Sequence, residues 1–500
     1  MFSPSATAAA VDTAAVPSDL KVMVLQMVVG FVTALQLVAP GMALGFSAVA
    51  LPQLRNENLT SFEPLTEAQG SWFASISSIS TPIGCLLSGW MMERWGRRLS
   101  LLLLNLPGLA GWALITVANG LIPLYAGRLL TGLSLGMASA SSNVYLGEVT
   151  TSQLRGALMC WNSLSIALGI LIVYILGWFL PWNWAAGCAI IPTVLSLMTA
   201  FFIPESASWL LAHSQPEAAE KALICLRGGG GPDVRAELEK LIIDQEKRAL
   251  AAQESSKETG IRKFTSSLRR PEFWKPLLIM NLFFAFQQFS GIYVVIFYAV
   301  DMASYFEGEA EGRSPLIDKY LAAVLIGVAR LSVTAVVSMI MRHVGRRPLA
   351  LLSGIGMTLC MLVLSVYVIL FYDIPSIVPM IFLIGFILTS TIGFMTLPWA
   401  MLGEVFPAEL RGVGGGVTTC MAYLLSFAAI KAYPAMNDME SIFNPFVIYF
   451  LFSLAGTVFV GVWLPETGGR TLQEIETSFA GKKPQQAPPR DMGQPLNAQP

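Results

Sequence analysis

The sequence is short of charge: only 13% of its 500 residues are Asp, Glu, Lys or Arg, against about a quarter in a soluble domain. It has two histidines, His213 and His343, which leaves little for metal ligation or acid–base work. Its six cysteines (Cys85, Cys160, Cys188, Cys225, Cys360, Cys420) stand at no ligand-like spacing. That spacing argues against a zinc site or a disulfide framework, and five of the six lie in apolar runs as small packing residues. The net charge of −1 gives nucleic acid nothing to hold. No Gly-Lys-Ser/Thr motif for a nucleotide is present. No nucleophile–base or metal constellation is visible, so an enzyme is not expected, nor is any cofactor. The first apolar stretch, Leu35 to Ala48, carries no Asp or Glu, although proton relays need buried acids.

What the chain has instead is apolar length. It is 54% hydrophobic, with a mean hydropathy of +0.63, the composition of a polytopic membrane protein. A spanning helix needs roughly 20 mostly apolar residues. That criterion predicts helices near 23–48, 71–92, 99–119, 121–147, 157–179 and 183–203, then 274–300, 317–341, 349–372, 376–403, 412–432 and 444–464. The expected fold class is an all-α integral membrane protein with twelve transmembrane helices in two six-helix halves. The expected domains are an N-terminus at 1–22, a first half at 23–203, a linker with short helices at 204–272, a second half at 273–464 and a tail at 465–500. The first apolar run is long and follows a small, polar leader, so it reads as an uncleaved first span. Arg94, Arg97, Arg98, Arg155, Arg342, Arg346, Arg347 and Arg411 fall on one side, and few cations on the other. The positive-inside rule then puts both termini and the linker in the cytoplasm. Asn58-Leu59-Thr60 in the first outer loop is an N-glycosylation acceptor at Asn58. The Pro- and Gln-rich tail at 481–500 reads as disordered.

Three motifs occur twice, at nearly constant offset. Gly96-Arg97-Arg98 is answered by Gly345-Arg346-Arg347, Leu146-Gly147-Glu148-Val149 by Leu402-Gly403-Glu404-Val405, and Pro204-Glu205-Ser206 by Pro465-Glu466-Thr467. Arg155 and Arg411 each follow their Glu by seven residues. Such duplication points to two parallel repeats related by an axis along the membrane normal. Topology signalling explains the arginines but not the acids Glu148 and Glu404. The preferred reading is a cytoplasmic gate of Arg94, Arg98, Glu148, Arg155, Glu205, Arg346, Glu404, Arg411 and Glu466. Its ions pair across the halves when the inside is closed and separate when it opens.

Gly89 to Arg98, Gly127-Arg128 with Gly132 and Gly136, Tyr145 to Glu148, Pro204-Glu205-Ser206, Gln287 to Gly291, Pro398-Trp399 and Pro465-Glu466-Thr467 together resemble the sugar porter branch of the major facilitator superfamily. Ala50 to Leu54 and Gln69 to Trp72 look most like the insect facilitated trehalose transporter group. The resemblance spans about residues 22–475 and implies a central sugar cavity between the halves, read by amides and aromatics. It assigns substrate contact to Gln287, Gln288 and Trp399, with Asn162 and Ser163 near a family glutamine position, and an outer gate to Phe297 and Tyr298. It implies a small-molecule sugar and the lipid bilayer as partners, and no obligate protein partner is evident. No dileucine-type acidic sorting signal stands out at the N-terminus, which favours the plasma membrane as location.

The chain departs from that pattern in the pocket. Tyr293, Arg330, Ala422 and Ser426 stand where the family carries asparagines, and Tyr423 where it carries tryptophan. Arg330, about mid-helix, must face the cavity or a partner, because a charge there costs at least about 2.5–3.5 kcal/mol. The expected function is facilitative uniport of a sugar such as trehalose or a hexose. The alternatives are a carrier of a polyol or organic anion using Arg330 and Tyr293, and a non-transporting sugar sensor.

Overall fold

The computed structural model describes residues 16–60, 62–229, 231–255, 270–305, 318–341, 344–371, 376–407, 410–437 and 444–467, with 474 and 479. The expectations for 1–15, for 256–269 of the linker, for Arg342 and for the tail at 481–500 lie outside the described residues.

The first half holds six spans. The first is Val16–Leu35 continued by Val38–Leu54, and the second is Glu67–Trp95. The third is Arg97–Leu103 continued by Asn105–Thr116. The fourth, fifth and sixth are Leu121–Val149, Ser152–Phe179 and Trp182–Ala200. Helices Ala207–Ala212, Pro216–Arg227 and Pro232–Ser255 follow. The second half begins with a seventh span in three pieces, Pro271–Phe289, Ile292–Phe297 and Ala299–Tyr305. The eighth and ninth are Lys319–Ile340 and Arg346–Leu370. The tenth is Val378–Ile392 continued by Leu397–Val405. The eleventh and twelfth are Arg411–Asn437 and Pro445–Trp463. Ten stretches among the described residues are long and apolar enough to cross a bilayer. The serine-rich second span and the interrupted seventh complete a twelve-span fold.

Local chemistry explains the starts and the breaks. Thr66 and Gln69 form a reciprocal capping box at the head of the second span, which satisfies two otherwise orphaned amides. Asn444 caps the twelfth span with Pro445 in its first turn. The first span breaks at Gln36, whose side chain donates to Ser196 O at 2.9 Å and accepts from Asn105 Nδ2 at 2.9 Å. The seventh breaks at Gly291, at φ +88°. A Cβ there would lie 2.7 Å from the Tyr449 ring, so glycine meets both the backbone and the packing requirement. These interruptions were not expected from hydropathy, because they sit inside apolar runs and are made by tertiary partners.

Within the first half, small residues let helices touch. A Cβ on Gly136 would collide with Thr81 O, and one on Gly169 with Val38 O. In a bilayer, where lipid tails are as apolar as leucine, such close packing drives helix association. Arg128 is fully buried and staples the half. It donates to Phe73 O at 3.1 Å, Ala43 O at 2.6 Å, Ala74 O at 3.3 Å and Ser77 Oγ at 3.2 Å. The halves meet along the second and eleventh spans, the fifth and eighth, and the first and seventh.

Candidate functional site

The duplicated motifs gather at one end of the molecule, the motif-bearing face, and build the same corner twice. In the first half Arg97 Nη2 meets Glu148 Oε1 at 2.7 Å, and its Nε donates to Glu148 Oε2 at 2.9 Å. Ser206 Oγ donates to the same carboxylate. Glu205 accepts from the Arg97 and Arg98 amides at 2.8 and 3.0 Å. In the second half Arg346 Nη2 meets Glu404 Oε1 at 2.9 Å, and Thr467 Oγ1 donates to Glu404 Oε2 at 2.8 Å. Glu466 accepts from the Arg346 and Arg347 amides at 2.8 and 3.1 Å. Glu205 and Glu466 therefore cap the first turns of the third and ninth spans, where free amides and the helix dipole favour an anion.

Glu148 and Glu404 each pair inside their own half. The guanidinium at Glu148 belongs to Arg97, which the sequence reading left out of its gate. Arg98 points away and donates from Nη2 to Phe201 O at 2.6 Å. Only the register of the helix start at Gly96 decides between adjacent arginines, and hydropathy does not carry that register. Arg94 is exposed. Arg155 Nη2 donates to Thr150 O at 3.1 Å, while its Nε is buried without a partner. The Arg411 side chain lies outside the described residues.

Between the halves lies a cavity of about 620 Å³. Asn162, Ser163, Tyr293, Arg330 and Trp399 line it, five of the seven residues expected at the substrate. Its wall runs from Tyr293 and Arg330 to Gly89, Val144, Gly403 and Gly412, so it opens toward the motif-bearing face. Trp399 is held edge-on to Phe284 at 4.8 Å and lies 5.5 Å from the Tyr423 ring. Asn162 Nδ2 donates to Asn143 Oδ1 at 2.9 Å, while Asn162 Oδ1 is buried without a partner. Asn143 and Ser139 also line the cavity. They were missed because polar residues in a span pointed only to packing until the neighbouring fifth span was in place.

Gln287 and Gln288 do not line this cavity. Gln287 Nε2 donates to Phe394 O at 2.7 Å and Met395 O at 3.1 Å, carbonyls set free where the tenth span breaks. Gln288 Nε2 donates to Gln287 Oε1 at 3.4 Å, and Gln288 Oε1 is buried without a partner.

The opposite face is shut by bonds between the halves. Arg55 Nη1 lies 3.3 Å from Asp301 Oδ2. Lys431 Nζ donates to Ser71 Oγ at 2.6 Å and stands 4.4 Å over the Trp72 ring. Tyr174 donates to Ile296 O at 2.7 Å. Phe297 and Tyr298 are buried beneath this layer, with the Tyr298 ring 4.7 Å from Tyr433. Asn58 is exposed on the short 3-10 turn of the first loop.

A two-fold repeated helical molecule with a central cavity open at one face is a carrier architecture. Residues 29–479 match the family described as "Sugar (and other) transporter". The chain belongs to this family, the sugar porter branch of the major facilitator superfamily. It is 31% identical over 478 residues to the solute carrier family 2, facilitated glucose transporter member 8 of Mus musculus, covering 90% of this chain and 94% of that one. It is 30% identical over 453 residues to the facilitated trehalose transporter Tret1 of Culex quinquefasciatus, covering 88% and 84%. Among solved structures, the inward open conformation of the xylose transporter XylE from E. coli aligns with a TM-score of 0.73 at 22% identity, over 91% of this chain and 99% of that one. This last likeness bears on the fold alone.

Proposed function

We propose that the protein is a facilitative carrier that moves a sugar-like solute by alternating access. The observation that carries this reading is the cavity of about 620 Å³ between the halves, open at one face and closed by ion and ring contacts at the other. Aromatic rings of Tyr293, Trp399 and Tyr423 offer stacking surfaces, and Asn143, Asn162 and Ser163 offer hydrogen bonds. That mixture suits a polyhydroxylated ring. Among the described residues no Asp or Glu lines the cavity, which supports uniport rather than proton coupling.

In this reading the motif-bearing face is cytoplasmic, both termini and the linker lie there, and the protein sits in the plasma membrane. The corners at Glu148 and Glu404 are the cytoplasmic gate in its open state. Closure brings Arg94, Arg155 and Arg411 toward the acids of the other half. Asn58 is then outside and open to glycosylation. The test is uptake of labelled glucose, trehalose, a polyol and a small organic acid into oocytes at two pH values. Saturable uptake that ignores pH supports the reading. No uptake of any of the four, with the protein confirmed at the surface, refutes it.

A further inference from the structure

Arg330 and Arg128 are both buried guanidinium groups, at 7% and 0% exposure, and their surroundings differ. Arg128 spreads its donors over three carbonyls and a hydroxyl, so each of its three nitrogens has a partner, as a buried cation requires. Arg330 lines the central cavity, and its Nη1 is buried without a hydrogen-bond partner among the described residues. Its described titratable neighbours do not supply an anion. Tyr293 and Tyr174 lie within its electrostatic reach, and the Tyr174 hydroxyl is committed to Ile296 O at 2.7 Å. Thr334, one turn along the eighth span, spends its hydroxyl on Arg330 O at 2.7 Å. No Asp or Glu is among the described cavity-lining residues. The pocket thus holds a desolvated cation with no protein counter-charge among the described residues.

Breaking a buried ion pair is costly because one charge is left uncompensated, and Arg330 stands in that position when the cavity carries no anion. A guanidinium presents its N–H groups in a planar fork that matches a carboxylate through two parallel bonds. The remaining wall, with its rings, amides and hydroxyls, suits a polyhydroxylated body. We infer that the cavity is built for a sugar acid, a hexuronate-like monocarboxylate whose carboxylate docks on Arg330 while its ring lies against Tyr293 and Trp399. This rests on the carrier reading above and names the substrate class of the same cavity.

The experiment uses the full-length protein in detergent and in proteoliposomes, with D-glucuronate, its neutral methyl ester and D-glucose as probes. Thermal-shift titration reads binding, and radiolabel counterflow reads transport. Wild type is expected to bind glucuronate about tenfold or more tightly than the methyl ester, the penalty for removing a charge-assisted pair. Arg330→Gln is expected to abolish that preference while its melting profile stays cooperative. Equal binding of acid and ester by wild type overturns the inference, as does a preference for the acid that survives in R330Q. The ester comparison needs no variant, so it decides the matter even if R330Q fails to fold. Glucuronate preferred in binding but no counterflow of any probe sustains the sugar-acid site and refutes the carrier reading instead.

Discussion

Asp301→Asn should unlatch the face opposite the motifs. At 3.3 Å and an effective dielectric of about 20, the Arg55–Asp301 attraction is about 5 kcal/mol gross. Side-chain exposures of 28% and 19% leave both groups partly wetted, so desolvation and screening reduce the net to about 1–2 kcal/mol. This pair joins the two halves across the shut face, so if it parts on opening its loss acts on the conformational equilibrium. A shift of that size changes the ratio of the two states by about 5–30-fold. Spin labels at the exposed positions Asn56 and Ser304 report the separation across this face. D301N should enlarge the long-distance population by that factor. Arg55→Asp combined with Asp301→Arg should restore the wild-type distribution, since the swapped charges attract again. An unchanged distribution in D301N, or no rescue by the swap, would refute the reasoning.

Other expectations follow from neighbouring geometry. Arg97→Ala should lower turnover more than Arg98→Ala, because Arg97 holds Glu148 with two donors at 2.7 and 2.9 Å; equal losses in counterflow would break the assignment. Gln287→Ala strips a partner from Phe394 O and Met395 O and should cost about 1–3 kcal/mol, read as a lower melting temperature with substrate affinity changed less. Gly96→Ala should destabilise more than Gly345→Ala. Both would press a Cβ on a capping carboxylate, but only Gly96 has a positive φ, +95°, adding about 1–3 kcal/mol of backbone strain. Uptake should hold constant between mildly acid and neutral pH, because no carboxylate lines the cavity among the described residues; a steep acid activation would contradict uniport.

The twelve spans and the two-fold repeat were legible because both are written in one dimension, as apolar length and as motif spacing. Glu205 and Glu466 were visible as repeated acids, yet their task as helix caps appears only when each folds back on the next arginine amides. The breaks at Gln36, Gly291 and 393–396 were hidden, since each depends on a partner far along the chain. The same holds for Gln287. Its sequence neighbourhood matched a sugar-reading pattern, while its amide closes a gap in the tenth span. Arg330 was the reverse case. A charge in an apolar run announced itself, and the fold supplied what it faces.

Among the described residues, the linker helices lean on the first half. Trp209 Nε1 donates to Glu93 O at 3.0 Å, Arg227 Nη1 to Val149 O at 3.1 Å, and Tyr145 to Pro204 O at 2.8 Å, all partners in the first half. The platform therefore rides with that half as a passenger when the molecule rocks. An antibody fragment gripping the platform alone would be carried without resistance. One that also reached the second half would act as a brake, and its drag on turnover would measure how far the halves travel.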